Sequence, residues 1–272
     1  MSLEIYYFSG TGNSLHVARE LEKRIPETKL IPIVSLLNKE NIVSRSDIVG
    51  FVFPIHLAMA PKPVMEFLSK INLSSAEYIF SVATRIGSRH RAFKDLEIIL
   101  KKQDRNLDSF FNLNMASNDP KFKGFNAATT GEIADLEMEV QNKLDYIHNS
   151  IINKETVREK DTEFTVTIPA FWVLSPLLPF LNKMSKYDFY ADLKCTGCGT
   201  CEKVCLSGKV KIINAKPVWQ KDVECFSCYA CLNYCPEYAV QIKSTHIFKT
   251  YTAENERYSH PYASADDIAL QK

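Results

Sequence analysis

Cysteine is absent from the first 194 residues of this chain and from everything after Cys235. All eight cysteines fall between those limits. A disulfide framework of a secreted protein would be scattered along the chain, so that class is excluded and a reducing, cytoplasmic setting is expected. Charge of one sign is not in excess either. Lys and Arg number 33 against 32 Asp and Glu, for a net charge of +1. This gives no footing for nucleic acid or for an anionic membrane surface. No apolar segment reaches the roughly 18 to 20 residues needed to span a bilayer, so no transmembrane segment is expected. The start, "MSLEIYYFSG", has no basic region followed by an apolar run, and no signal peptide is expected.

Nearly half of the 272 residues, 46%, are apolar, enough for one large core or two smaller ones. Residues 1–155 alternate short apolar strands with helices. "LEIYYF", "TKLIPI", "SDIVGFVF", "EYIFSVA" and "SFFNLNM" read as five strands. Leu15, Ala18 and Leu21 share one face of a first helix, "PKPVMEFLSKI" and "SRHRAFKDLEIILKK" form the next two, and Ile133, Leu136, Val140, Leu144, Ile147 and Ile151 form the stripe of a long fourth. Such alternation implies an α/β fold with a parallel sheet wound on both faces, and ligands at the carboxyl ends of its strands. Residues 156–190 read as a connector, charged and then apolar. Pro169, Pro176 and Pro179 argue against a continuous membrane helix and for packing between domains. Residues 191–243 hold the cysteines. Residues 244–272 read as a polar, aromatic surface tail with a disordered end.

The cysteines run Cys195-x2-Cys198-x2-Cys201-x3-Cys205 and, 30 residues on, Cys225-x2-Cys228-x2-Cys231-x3-Cys235-Pro236. Val210 matches Val240 and Ile212 matches Ile242, so the segment is an internal repeat. Three thiolates at i, i+3 and i+6 wrap one face of an iron–sulfur cube, while the fourth points away to the other cube. One [4Fe–4S] cluster is therefore expected on Cys195, Cys198, Cys201 and Cys235, and a second on Cys225, Cys228, Cys231 and Cys205. Zinc is the competitor, but its ribbons use separated pairs rather than a triple plus one. The segment resembles bacterial two-[4Fe–4S] ferredoxins. Leu206 stands where that pattern has proline, which loosens a turn but removes no ligand.

Between the first strand and first helix lies Ser9-Gly10-Thr11-Gly12-Asn13-Ser14, a loop without lysine or arginine. A P-loop needs G-x-x-x-x-G-K-[ST], and no lysine follows here. A dinucleotide fingerprint needs a third glycine where Leu15 stands. What is left is either an ordinary glycine turn or a phosphate cradle. In a cradle, the hydroxyls of Ser9, Thr11 and Ser14 and the N–H groups at the helix start would hold a monoester phosphate.

The stretch "YFSGTGNS" resembles the flavodoxin family, whose first loop binds the phosphate of FMN. With "ATRIGS", both cysteine sets and the tail motif "RYSHP", the whole chain resembles proteins that fuse a flavodoxin-like domain to a two-cluster ferredoxin. The resemblance implies a five-stranded flavodoxin-like sheet, FMN, and ring contacts from two loops. Pro54, Ile55, His56 and Leu57 would touch the isoalloxazine, although no Trp or Tyr stands there, so that His56, Leu57 or Met59 would pack on it. Thr84, Arg85, Ile86 and Gly87 would meet its edge. Arg85, Arg89, His90 and Arg91 crowd a helix start, where the dipole disfavours cations, either as a solvated face or to serve an anion such as a reduced flavin, an acidic partner or a phosphate. No nucleophile–base pair suggests hydrolysis. Three readings stay open: an electron carrier between redox protein partners, an FMN-dependent reductase of a quinone-like acceptor, and a protein in which only the clusters work. The sequence does not specify an oligomeric state.

Overall fold

The computed structural model describes residues 2–87, 90–159, 187–245 and 249–272. Five strands, β1 (Leu3–Tyr7), β2 (Thr28–Pro32), β3 (Ile48–Pro54), β4 (Tyr78–Arg85) and β5 (Ser109–Asn114), form one parallel sheet in the order 2-1-3-4-5. That order is flavodoxin-like, and it places the reversal of winding between β1 and β3. β3, "IVGFVFP", is a nearly continuous apolar run because both of its faces are covered, and its first six residues are buried.

Four helices cover the sheet: α1 (Asn13–Arg24), α2 (Lys62–Lys70), α3 (Ala92–Lys101) and α4 (Thr130–Ile152). Pro63 sits in the first turn of α2, where a missing N–H leaves no bond unmade. Thr129 and Glu132 close α4 with a reciprocal capping box. Val140, Leu144, Ile147 and Ile151 of its stripe are buried, whereas Ile133 and Leu136 near its start are only half-buried. α3 begins at Ala92, later than the apolar pattern suggests, because Arg91 takes a non-helical conformation. The apolar connector with its prolines lies mostly outside the described residues.

The cysteine segment keeps its repeat in three dimensions. β6 (Phe189–Ala191) pairs antiparallel with β9 (Val240–Ile242), and β7 (Val210–Ile213) pairs antiparallel with β8 (Lys216–Trp219). One-turn helices α5 (Thr200–Lys203) and α6 (Ala230–Asn233) carry Cys201 and Cys231 at equivalent places. The chain thus joins a flavodoxin-like sheet to a small ferredoxin-like α+β unit.

The end of the tail is ordered, contrary to the sequence expectation. It forms α7 (Ala265–Ala269), with its own capping box from Ser264 and Asp267, and Ile268 and Gln271 are buried. Tertiary contacts order it: Arg19 on α1 bonds Asp267, and the Gln271 amide lies against the backbone of Ser9.

Candidate cofactor sites

The glycine-rich loop leaves β1 at the switch point and enters α1 through Gly12, whose φ of 101° is left-handed and suits glycine. No side chain caps α1. Ser9, Thr11, Asn13 and Ser14 are all buried. Ser9 Oγ accepts from Gly12 N–H at 3.1 Å, Asn118 Nδ2 donates to Thr11 Oγ1 at 2.5 Å, and the Ser14 and Thr84 hydroxyls are 2.7 Å apart. Thr84 belongs to the second predicted flavin loop, so two of the predicted segments meet through their hydroxyls. Among the described residues, the N–H groups of Gly10, Thr11, Asn13 and Ser14 have no hydrogen-bond partner in the protein. Asn13 Nδ2 donates to Ala116 O, which leaves Asn13 Oδ1 buried with no partner. Buried polar groups of this kind are costly unless something pairs with them.

The loop after β3 closes tightly. His56 and Met59 exchange backbone bonds at 3.0 and 2.9 Å, with Leu57 and Ala58 both left-handed at φ 47° and 61°. For non-glycine residues this costs on the order of 1–3 kcal/mol each, and such strain gathers at ligand clamps. Ile55 N–H bonds Thr84 O and Arg91 N–H bonds Ala58 O, which ties the two predicted ring loops together. Leu57 and Ile86 are exposed, Pro54, Ile55, His56 and Gly87 are half-buried, and Thr84 and Arg85 are buried. Arg85 Nε bonds Asn114, and Arg91 pairs with Asp95 at 2.7 Å, so Arg91 is not part of a purely solvated face. Arg89 lies outside the described residues.

His56 packs its ring edgewise on Phe8, 5.9 Å between centroids. Burial, with Lys121 nearby, holds its imidazole down at about 4 against a smaller upward pull from a bond to the Phe226 backbone. Lys121 is the residue that sequence reasoning missed. It is buried, paired with Asp119, and its ammonium lies 4.4 Å from the ring centre of Phe122 and 5.0 Å from that of Tyr229. Burial lowers its pKa, and Asp119 works against the shift. Nothing in "DPKFKGF" distinguishes this lysine from Lys123 two residues on.

None of the eight cysteines is paired in a disulfide. Cys195, Cys198, Cys201 and Cys235 line one cavity with about 330 Å³ of empty space, continuous with solvent. The cysteines acting electrostatically on Cys201 are Cys235, Cys195 and Cys198, and those acting on Cys228 are Cys225 and Cys205. Cys195, Cys198, Cys201 and Cys235 thus face one common space, while the sulfurs acting on Cys231 are Cys228, Cys225, Cys205 and also Cys201. Val210 N–H points at Cys205 Sγ and Ala239 N–H at Cys235 Sγ, at 3.4 and 3.3 Å. Burial pushes the Cys201 thiol up to about 11 and raises Cys225, Cys228 and Cys231 as well, while hydrogen bonds from Thr200 lower Cys198. Ligation by iron needs thiolates, so it would release protons from these groups.

The two halves of the chain touch at the cradle. A Cβ on Gly10 would overlap the carbonyl oxygen of Cys228. Phe226 meets Phe8 edgewise at 6.2 Å, Lys62 pairs with Glu224, and Asn233 Nδ2 donates to Asn118 O. The tail completes the cover: His260 N–H donates to Thr11 O at 2.8 Å, and a Cβ on Gly12 would lie 2.6 Å from that of Ala263.

Residues 194–240 match the family described as the 4Fe-4S dicluster domain. No curated protein matches the chain. Among solved structures, a flavoprotein of Bacteroides uniformis aligns at 19% identity over 43% of this chain and 92% of its own, with a TM-score of 0.32. An FMN-dependent NADH-azoreductase of Bacillus anthracis aligns at 8% identity over 55% of this chain and 100% of its own, with a TM-score of 0.36. Residues 194–240 are thus similar to a 4Fe–4S dicluster domain, and the sheet that precedes them has the flavodoxin-like strand order.

Proposed function

We propose that this chain is an iron–sulfur flavoprotein in which two [4Fe–4S] clusters and one FMN exchange electrons, and that it works as an electron-transfer protein between redox partners. The observation that carries this reading is the seating of Cys228 on Gly10, which brings a cluster loop into contact with the candidate flavin loop. Cys195, Cys198, Cys201 and Cys235 would hold one cluster, and Cys225, Cys228, Cys231 and Cys205 the other. The unpartnered N–H groups of Gly10, Thr11, Asn13 and Ser14 fit the 5′-phosphate of FMN, with hydroxyls from Ser9, Thr11 and Ser14 beside them. The orphaned Asn13 Oδ1 fits a ribityl hydroxyl. The strained turn at Leu57 and Ala58, with Thr84 and Arg85 across from it, would flank the ring. When bound, the flavin supplies the change between one- and two-electron transfer, and the clusters supply single electrons. The protein's part would be to hold these groups close and to exclude water, and the burial of Ser9, Thr11, Asn13 and Ser14 supports this.

A reductase of a small quinone-like acceptor is the second reading. The exposure of Leu57 and Ile86 favours it, since both sit on loops assigned to the ring and offer an apolar edge to solvent. Anaerobic reconstitution followed by iron, sulfide and flavin analysis tests the cofactor assignment. About eight irons and one FMN per chain are expected, and zinc in place of iron, or absence of FMN, would refute it. Stopped-flow mixing of the reduced protein with a quinone separates the readings, because a carrier shows no saturable turnover of the acceptor.

A further inference from the structure

The histidine of the tail motif "RYSHP" is buried, only 3% exposed. His260 stacks on His16, with ring centroids 4.3 Å apart and planes 23° apart. His16 follows the cradle by one turn of α1, and its Nε2 lies 2.9 and 3.0 Å from the two carboxylate oxygens of Glu137 on α4. One potential ligand atom from each of these three residues lies within 4.8 Å of the other two, the one such group of three among the described residues. Two imidazoles and a carboxylate from α1, the tail and α4 thus converge in a place where neither the clusters nor the flavin requires them.

We propose that His16, Glu137 and His260 form a binding site for one divalent transition-metal ion of the zinc class, and that the ion fastens the C-terminal tail to α1 and α4. A two-histidine, one-carboxylate set is one that zinc takes, with a fourth position left for water. Magnesium and calcium prefer oxygen donors alone, so the two imidazoles select against them. The ligand atoms already lie within 4.8 Å of one another, and on binding the stacked His260 ring would turn toward the ion. Bonds of about 2.0–2.1 Å to a tetrahedral ion set ligand atoms about 3.3 Å apart. The His16–Glu137 pair, now at 2.9 Å, would open by only about 0.4 Å.

Two of the present contacts would be exchanged on coordination. The His16–Glu137 hydrogen bond would give way to two coordinate bonds. The long bond from Tyr262 N–H to His260 Nδ1, 3.3 Å, would be lost whichever ring nitrogen binds, because a metal-bound imidazole carries its proton on the second nitrogen. Burial and the neighbouring His16 also hold the His260 imidazole down at about 3, so it offers a lone pair at neutral pH. The ion would act on the cradle at one remove, since His260 donates its N–H to Thr11 and packs its Cβ against Gly12.

Equilibrium dialysis of the full, iron-loaded chain against zinc, under anaerobic conditions, tests the site. Zinc and iron are counted together by elemental analysis. One zinc per chain with iron unchanged is expected. His260→Ala should weaken zinc binding at least tenfold, and Glu137→Gln, which leaves the histidine stack in place, should do the same. Zinc should also slow tryptic cleavage of the tail in the wild type and not in either variant. No zinc uptake, equal uptake by both variants, or uptake only with matching loss of iron would overturn the proposal.

Discussion

Gly10 and Cys228 are in contact: the space a side chain would fill on the first is taken by the backbone carbonyl of the second. The candidate flavin loop and the second cysteine loop therefore form one packed unit. Gly10→Ala should force them apart. Overpacking of this kind costs about 1–3 kcal/mol. The expected outcome is a lower midpoint of thermal unfolding and slower electron transfer between flavin and clusters, with iron content retained. Differential scanning calorimetry and flash reduction read the two effects separately.

Crossed ligation has a sharper test in paired variants. Cys205→Ala with Cys225→Ala removes two ligands from one cluster under the crossed assignment, so about half the iron should remain. Cys225→Ala with Cys235→Ala removes one ligand from each, and both clusters should suffer. An uncrossed arrangement predicts the reverse pattern, and iron and sulfide analysis of the purified chains distinguishes them.

Substituting Thr11→Val and Ser14→Ala together should weaken FMN binding. Hydrogen bonds to a charged group contribute about 1.5–3 kcal/mol each, so a loss of two corresponds to a hundredfold or more in affinity. Cluster content should stay intact, since neither side chain is bonded to the cysteine unit. Fluorescence titration with FMN measures the change.

Lys121→Met should lower the potential of the flavin, the second cluster or both, by an amount on the order of tens of millivolts. A buried cation favours the more negative, reduced state, and its field is poorly screened. Spectroelectrochemical titration reads the shift. An unchanged potential would mean that Asp119 already cancels the charge of Lys121.

His56 gives the fold a pH dependence of definite sign. Its folded value, about 4, lies below the ordinary histidine value of about 6.5. The unfolded chain therefore binds more protons between those limits, and stability falls as pH drops through that window. Thermal unfolding followed from pH 7.5 to pH 5.5 should show a shallower decline in His56→Gln than in the wild type.

The sheet and the cysteine repeat were legible because each rests on local periodicity. Strands such as β3 are apolar throughout, and Cys195 to Cys201 reach one cavity through their spacing alone. Contacts between distant segments left no comparable trace. Cys228 and Gly10 give no sign in the sequence that they belong together, and Lys121 looks like any exposed lysine. The tail misled for a related reason: "ENERYSHPYASADD" is polar enough to suggest a loose end, but its polar groups are spent on specific partners, Tyr258 N–H on Asn233 and Asp267 on Arg19.

The amide of Gln271 meets Ser9 on both sides, accepting from its N–H at 2.9 Å and donating to its carbonyl at 2.8 Å, as a neighbouring strand would. The ninth residue is thus closed by the two hundred and seventy-first. The sheet is complete by Asn114, so one residue of its ligand loop finds its backbone partner more than 150 residues further along the chain, and removing Gln271 should leave the N–H and the carbonyl of Ser9 unpaired.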